Sequence, residues 1–174
     1  KVVLGGSLDD AVFAGGDGSE TAPFLIRTEA QLRAFAATTA DGETYAGQYV
    51  ALDADIPLNG DWTPIHSFAG TFDGQGHTIA NLTVLRWEGE TPEDKNCAGL
   101  FAMIGADGEV KNLKLTNARI EGQGDSGILV GICRGKAENC SVQGSIFGRD
   151  ATGGFAGYLK PGAQITDCSA RAQV

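Results

Sequence analysis

Acidic and imidazole side chains are the residues that could do acid–base or metal chemistry in this 174-residue sequence, and they are scattered along it. Asp53 and Asp55 are the one close carboxylate pair within a predicted strand, and their spacing of two turns both toward solvent. The two histidines, His66 and His77, are far apart and leave no third metal ligand beside them. The His-Glu-x-x-His motif of zinc peptidases does not occur. We therefore predict no catalytic site, no metal and no cofactor in this segment.

The four cysteines could form disulfides or remain as thiols. Cys140 and Cys168 occupy equivalent places in successive repeats, which would put their Cα atoms about 4.8 Å apart if the repeats stack. That separation permits a disulfide, but parallel inward thiols more often pack as small hydrophobic groups. We favour free, buried thiols for this pair. Cys97 and Cys133 flank Gly-rich segments without an obvious partner, and no Cys-x-x-Cys motif suggests a zinc or redox site.

Charge is distributed unevenly over a net charge of −9. Residues 1–96 hold 15 acidic and 5 basic residues, whereas residues 97–174 hold 7 and 8. An acidic front half without a basic patch argues against nucleic acid and against anionic membrane surfaces as partners. No run approaches the roughly 18 apolar residues of a membrane span, so we expect no membrane insertion in this segment. The sequence does not begin with Met, and we interpret it as a piece of a longer protein.

Internal repeats are the most informative feature of the sequence. Residues 79–84, 110–115, 137–142 and 165–170 share an apolar residue, then Asn or Asp two positions later, then Leu or Cys. The shared polar positions lie 31, 27 and 28 residues apart and are Asn81, Asn112, Asn139 and Asp167. Gly-rich blocks at 98–101, 127–131 and 153–157 precede the last three units. Each unit therefore holds three short strands with Gly or Asn at the corners.

Stacking of these units predicts an all-β fold, a right-handed parallel β-helix. Runs of three to five residues are too short for helices, and strands this short are stable only when successive units pair in parallel and bury one continuous core. A bend at each Asn lets the flanking apolar residues both point inward, so we interpret the four Asn/Asp positions as a structural corner ladder. The residues that follow them, Leu82, Leu113, Cys140 and Cys168, are predicted to form one inward stack.

The front of the domain has the pattern of a helical cap. Thr28 and Gln31 form a capping-box pair, and Leu32 and Phe35 share one helical face, which predicts a short N-terminal capping α-helix over about residues 29–38. We expect residues 1–20 to be an extended lead-in, residues 21–174 to be a single β-helix domain, and its coils to run from about 48 to 174. The acidic insertion 86–96 is predicted to be a protruding loop.

The last residue, Val174, is equivalent to Ile146 one repeat earlier, so the chain stops partway round a coil. Solenoid ends that expose unpaired strands tend to associate. We therefore predict that the domain is truncated at its C-terminus and pairs end to end with a second copy.

The block Phe68-Ala-Gly-Thr-Phe-Asp-Gly-Gln-Gly-His-Thr-Ile79, with the opening 16–28 and the run 62–65, resembles GLUG-repeat proteins. The Gly-rich blocks match that family's Gly-Leu-aromatic-Gly theme loosely, and the resemblance covers nearly everything after residue 15. Such repeats occur in bacterial cell-surface and secreted proteins, including adhesin-like proteins and non-catalytic regions of IgA-cleaving metallopeptidases, and their fold is similar to pectin lyase. The resemblance implies an extracellular, bacterial, adhesive or scaffolding module.

Two function classes follow from this. The first is a surface adhesion, binding or scaffolding module whose partner is a host glycan or an extracellular protein, with Trp87, Tyr45 and Trp62 as candidate contact residues. For each of them, packing within a coil is the competing interpretation, and we favour packing for Trp62. The second is a non-catalytic accessory segment of a secreted enzyme, either an IgA-type metallopeptidase or a carbohydrate-active enzyme.

Overall fold

The computed structural model describes residues 12–87 and 97–174. Within them one helix, α1 (Glu29–Ala40), accompanies strands that are mostly three to five residues long. In chain order the strands are β1 (Phe24–Ile26), β2 (Tyr49–Leu52), β3 (Ile56–Pro57), β4 (Ile65–Phe68), β5 (Thr71–Asp73), β6 (Thr78–Ala80), β7 (Thr83–Trp87), β8 (Phe101–Ile104), β9 (Glu109–Lys111), β10 (Lys114–Gly122), β11 (Ser126–Gly127), β12 (Val130–Cys133), β13 (Lys136–Glu138), β14 (Ser141–Gly148), β15 (Thr152–Gly153), β16 (Ala156–Leu159), β17 (Gln164–Thr166) and β18 (Ser169–Gln173).

The strands form three main sheets in which all pairings are parallel. The first sheet has the order β1-β2-β5-β9-β13-β17, the second β3-β6-β10-β14-β18 with β7 also on β10, and the third β4-β8-β12-β16. Each strand pairs with the equivalent strand one coil away, and β11 pairs with β15 in the same way. The chain is therefore a parallel β-helix, which confirms the predicted fold class. Crossover connections between parallel strands are right-handed in almost all proteins.

The core is a set of inward columns that run up the solenoid. On the first sheet, Phe24, Val50, Phe72, Val110 and Ala137 stack in register and are all buried. Their alternation with outward residues is what a period of two requires in a strand with one buried face. Aromatic rings fill the end of the core beneath the helix, where their large apolar area is removed from water.

Helix α1 covers that end, as predicted. The Thr28 hydroxyl accepts a hydrogen bond from the Gln31 N–H, and the Gln31 side chain accepts one from the Thr28 N–H, which together form the capping box. Leu32 and Phe35 are buried against the first coil. The Glu29 carboxylate accepts hydrogen bonds from the Asn59 backbone and side-chain N–H groups, which ties the start of the helix to the loop before β4.

The N-terminal residues that the structure describes also pack on the first coil. The Ala14 N–H donates to the Leu25 carbonyl, and the Leu25 N–H donates to the Gly15 carbonyl. The Phe13 ring is buried and stacks on the Phe24 ring with centroids 4.4 Å apart. Residues 13–15, which the sequence assigns to the lead-in, thus contribute to the cap.

The corner ladder differs from the predicted one in its first member. Asn112, Asn139 and Asp167 share one corner with positive φ angles of 53°, 50° and 51°. The Asn139 side-chain amide donates to the Asn112 side-chain oxygen at 2.9 Å, and the Asn112 amide donates to Asp73 at 3.1 Å. Asp73, which pairs with Lys111 on the neighbouring strand, therefore supplies the side-chain acceptor below Asn112, and Asn81 does not.

Asn81 belongs to a second column, and the predicted register for it and for Leu82 is wrong. Ile79 pairs with Leu115, and the Asn117 amide donates to the Asn81 side-chain oxygen at 2.8 Å. The cause is the corner between β5 and β6, where four residues, 74–77, stand opposite the two residues 112–113. These two extra residues move the next Asn one corner further along the coil.

The remaining boundary predictions fall near the least regular parts of the chain. Arg86 and Trp87 belong to β7, so the strand continues into the predicted insertion, while residues 88–96 lie outside the described residues. In the last coil the inward residues Ile165 and Cys168 are only half-buried, and Val174 is 75% exposed.

No helix among the described residues is long and apolar enough to cross a membrane.

Candidate binding groove

Two of the three aromatic residues proposed as ligand contacts are buried. Tyr45 is 5% exposed, its ring packs among the aromatic residues of the cap, and its hydroxyl lies 2.6 Å from the Thr38 hydroxyl. Trp62 is 2% exposed and donates from Nε1 to the Leu100 carbonyl at 3.1 Å. The structure therefore contradicts Tyr45 and Trp62 as surface contacts, because the helical cap and the following coil cover them. The Trp87 side chain lies outside the described part of the molecule.

The acidic pair is divided between two structural roles. Asp53 and Asp55 lie in the corner between β2 and β3 rather than within one strand. Asp53 pairs with Arg27, and Asp55 accepts hydrogen bonds from the Thr78 N–H at 2.9 Å and from the His77 ring at 3.1 Å. The Thr78 N–H, followed by His77, lowers the pKa of Asp55 below its usual value. Among the residues described, no three His, Cys, Asp or Glu side chains are grouped so that they could hold a metal ion.

The four cysteines form no disulfide in the structure, and their exposure differs. Cys97, Cys133 and Cys140 are buried, whereas Cys168 is half-buried in the last coil. Burial raises the pKa of Cys140 to about 12 and also raises the pKa of Cys133. A thiol is a nucleophile only as its thiolate, so Cys133 and Cys140 are held in an unreactive form at neutral pH.

Alkylation of the native protein with iodoacetamide is expected to modify Cys168 first, because its side chain is the most accessible of the four. Cys140 should stay unmodified over the same time, since it is buried and its thiol is not ionised. Mass spectrometry of tryptic peptides measures both rates, and the same reaction in guanidinium chloride serves as the control in which all four should react. Equal rates for Cys140 and Cys168 in the native protein would contradict their unequal burial, and a mass two daltons low without reductant would show a disulfide that the structure lacks.

A groove on the outer face of the first sheet is the candidate binding site. It lies across β2, β5 and β9, has a volume of about 360 Å³, and we name it the Tyr49 groove. The side chains that give it chemical character are those of Glu20, Tyr49, Thr71, Asp73, Gln75 and Lys111. The volume is at the lower end of the range of about 300–1,000 Å³ that is typical of small-ligand sites.

The register of the parallel strands creates this groove. Tyr49 stands beside Thr71, and Ala51 stands beside Asp73. The small side chains of Ala51 and Thr71 form the floor between the larger side chains of Tyr49 and Asp73. Lys111 extends the row on β9, next to Asp73. Because outward residues of neighbouring parallel strands lie about 4.8 Å apart, these side chains form one continuous surface.

Two turns complete the walls of the groove. Glu20 comes from a turn in which the Asp17 N–H donates to the Ala22 carbonyl and the Ser19 N–H donates to the Asp17 carboxylate. Gln75 has a left-handed backbone with a φ of 49°, and its N–H donates to Asp73 at 2.8 Å. Hydrogen bonds donated by backbone N–H groups thus hold both turns, and the side chains of Glu20 and Gln75 take part in none of these bonds.

The polar side chains of the Tyr49 groove are available for a ligand. Within residues 12–87 and 97–174, the Tyr49 hydroxyl, the Gln75 amide, the Lys111 ammonium and the Glu20 carboxylate have no hydrogen-bond or ion-pair partner in the protein. Asp73 uses one carboxylate oxygen for the Asn112 amide and the Gln75 N–H. The sequence analysis did not predict this site, because Tyr49 resembles any apolar residue of a strand. Its one signal in the sequence is that Tyr49 and Ala51 are two positions apart, which places both on the outward side of β2.

Comparison with known proteins gives relatives that are much longer than this chain, and no family model matches it. The chain is 38% identical over 103 residues, 59% of its length but 1% of the relative, to Halomucin of Haloquadratum walsbyi. It is 35% identical over 150 residues, 79% of its length and 16% of the relative, to a protein of Evansella cellulosilytica named "Putative Gly-rich membrane protein". Membership of the GLUG-repeat family stays a prediction.

The fold is similar to that of a solved structure. The crystal structure of a "putative immunoglobulin A1 protease" from Bacteroides ovatus matches with a TM-score of 0.66, 18% identity, 90% coverage of this chain and 59% coverage of that chain. At this identity the match shows the fold alone. The chain is thus a parallel β-helix that is similar in sequence to small parts of much longer proteins.

Proposed function

We propose that this chain is a binding module of a long extracellular surface protein, in which a rigid parallel β-helix presents a ligand-binding face. The observation that carries the proposal is the Tyr49 groove, a concave surface with an aromatic ring and several unpartnered polar side chains. Paired strands and hydrogen-bonded turns already hold the backbone that carries these side chains, so a ligand would have to order side chains but not the backbone. No residue of the groove is assigned a catalytic role, and we propose that the module is not an enzyme.

The relatives support a location at the cell surface. One is named Halomucin and the other is named as a membrane protein, and the chain matches only a small share of each. A short solenoid inside a long surface protein would act as a spacer, a contact surface or both, because stacked coils form a stiff unit. Adhesion is the use that the Tyr49 groove favours over scaffolding alone. End-to-end association through the last coil stays a prediction.

The alternative is an accessory segment of a secreted enzyme. The likeness to the Bacteroides ovatus structure is a likeness of fold at 18% identity, and it supplies no residue-level feature that favours this alternative. The Tyr49 groove, by contrast, is a feature of this chain itself. We therefore favour the binding module over the accessory segment of an enzyme.

An array of immobilised glycans, extracellular proteins and intact bacterial cells tests the proposal directly. The purified domain, carrying a fluorescent tag at its N-terminus so that Lys111 stays unmodified, is expected to bind at least one class of surface saturably. The same tagged domain, unfolded by heat and shown by circular dichroism to have lost its strands, is the control for nonspecific adsorption. Binding no greater than that of the unfolded control on every surface would contradict a binding function.

A further inference from the structure

We propose that the Tyr49 groove binds a neutral oligosaccharide, with the Tyr49 ring stacked against the apolar face of one sugar ring. This inference rests on the proposed function, because it names the ligand class of the same surface. A pyranose ring has an apolar face and a rim of hydroxyl groups, so it needs an aromatic surface next to donors and acceptors. The Tyr49 groove offers that combination in a space that suits one or two sugar rings.

The polar groups of the groove match hydroxyl groups better than other ligand chemistry. The Gln75 amide both donates and accepts, the Glu20 carboxylate accepts, and the Lys111 ammonium donates. A hydroxyl can satisfy any of these groups, since it is itself a donor and an acceptor. An apolar ligand would instead cover them and leave them unpaired, which is unfavourable.

The net negative charge of the Tyr49 groove favours neutral sugars over acidic ones. Glu20 and Asp73 carry two negative charges in the groove against the single positive charge of Lys111. Residues 1–96, which supply most of the groove, are themselves strongly acidic. A polyanionic ligand such as a uronate chain would meet repulsion at two of the three charged side chains, so neutral chains are favoured.

A second exposed aromatic provides the internal control. Phe147 on β14 is 70% exposed on the outer face of the second sheet, next to Glu121, which is paired with Arg119 at 2.6 Å. It lies on a different sheet from Tyr49 and presents a bare apolar ring. If the domain bound through any exposed aromatic, Phe147 would matter as much as Tyr49.

Isothermal titration calorimetry with cellohexaose, mannohexaose and hexagalacturonate tests the inference. We expect at least one neutral hexasaccharide to bind and hexagalacturonate to give no binding heat. Tyr49→Ala should weaken the neutral ligand at least about tenfold, whereas Tyr49→Phe keeps the ring and should stay within about threefold of the wild type. Gln75→Gly keeps the left-handed backbone, removes the amide and should cost several-fold. Phe147→Ala should leave affinity unchanged.

Three results would overturn the inference in folded variants, as judged by circular dichroism. They are no binding of either neutral hexasaccharide, tighter binding of hexagalacturonate, and full affinity in Tyr49→Ala. If the array still shows specific binding in any of these cases, only the ligand class or the site is wrong. If neither the calorimetry nor the array shows specific binding, the proposed binding function itself fails.

Discussion

Replacing Leu113 by aspartate is expected to unfold the domain or to lower its melting temperature by more than about 10 °C. Leu113 is fully buried in the column that continues through Cys140 and Cys168. A carboxylate placed there has no partner, and an unpaired buried charge costs several kcal/mol. That is a large share of the roughly 5–15 kcal/mol by which domains of this kind are stable. Thermal unfolding followed by circular dichroism measures the loss.

The matched control is Lys114→Asp, one residue further along the same strand. Lys114 points outward and is exposed, so the same carboxylate stays in water there and should cost under about 1 kcal/mol. An unchanged melting temperature for Leu113→Asp would mean that Leu113 does not face the core and that the parallel register around it is wrong.

Gly135→Ala is expected to lower stability by roughly 2–3 kcal/mol, which corresponds to a drop in melting temperature of about 5–10 °C. Gly135 lies at the corner between β12 and β13, where a Cβ atom would come within 2.2 Å of the Gly108 carbonyl oxygen and 2.4 Å of the Gly105 carbonyl oxygen. Both atoms belong to the backbone of the neighbouring coil, so the two coils must move apart to admit a methyl group. Denaturant titration gives the free-energy change.

Gly105→Ala is the control for this prediction, since it lies in the equivalent corner one coil earlier. A Cβ atom at Gly105 would meet its nearest neighbour, the Phe68 carbonyl oxygen, at 3.4 Å, an ordinary contact. Alanine also restricts the unfolded chain, so this substitution should be neutral or slightly stabilising. Equal effects of the two substitutions would show that the corner at Gly135 is looser than the structure indicates.

Much of the architecture could be predicted from local sequence patterns. The capping box at Thr28 and Gln31, the apolar helical face behind it, and the left-handed corner at Asn112 and Asn139 each depend on residues a few positions apart. Parallel stacking also followed from the repeats, because strands of three to five residues have no other way to bury one face.

Register between coils could not be predicted in the same way. The sequence spacing aligned Asn81 with Asn112, yet the structure aligns Asn81 with Asn117. Pairing between neighbouring coils decides this, because the four residues at 74–77 widen one corner and every later residue of that coil shifts with it. A hexapeptide pattern repeats in the sequence whether or not its copies occupy the same corner.

Which aromatic residues are buried could likewise not be predicted from local sequence. A local pattern cannot tell whether Tyr45 or Trp62 faces solvent, since each is covered by residues that come from the cap or from the next coil. The Tyr49 groove likewise joins Glu20 to Lys111, which are distant in the chain and become neighbours only through strand pairing. Local hydrogen bonds and the alternation of side chains therefore suffice to predict the class of fold, its cap and the left-handed corner at Asn112 and Asn139. The residues that share a column, the burial of each aromatic ring and the position of the groove cannot be predicted in this way. They depend on contacts between coils about 4.8 Å apart in space but 20 or more residues apart in the chain.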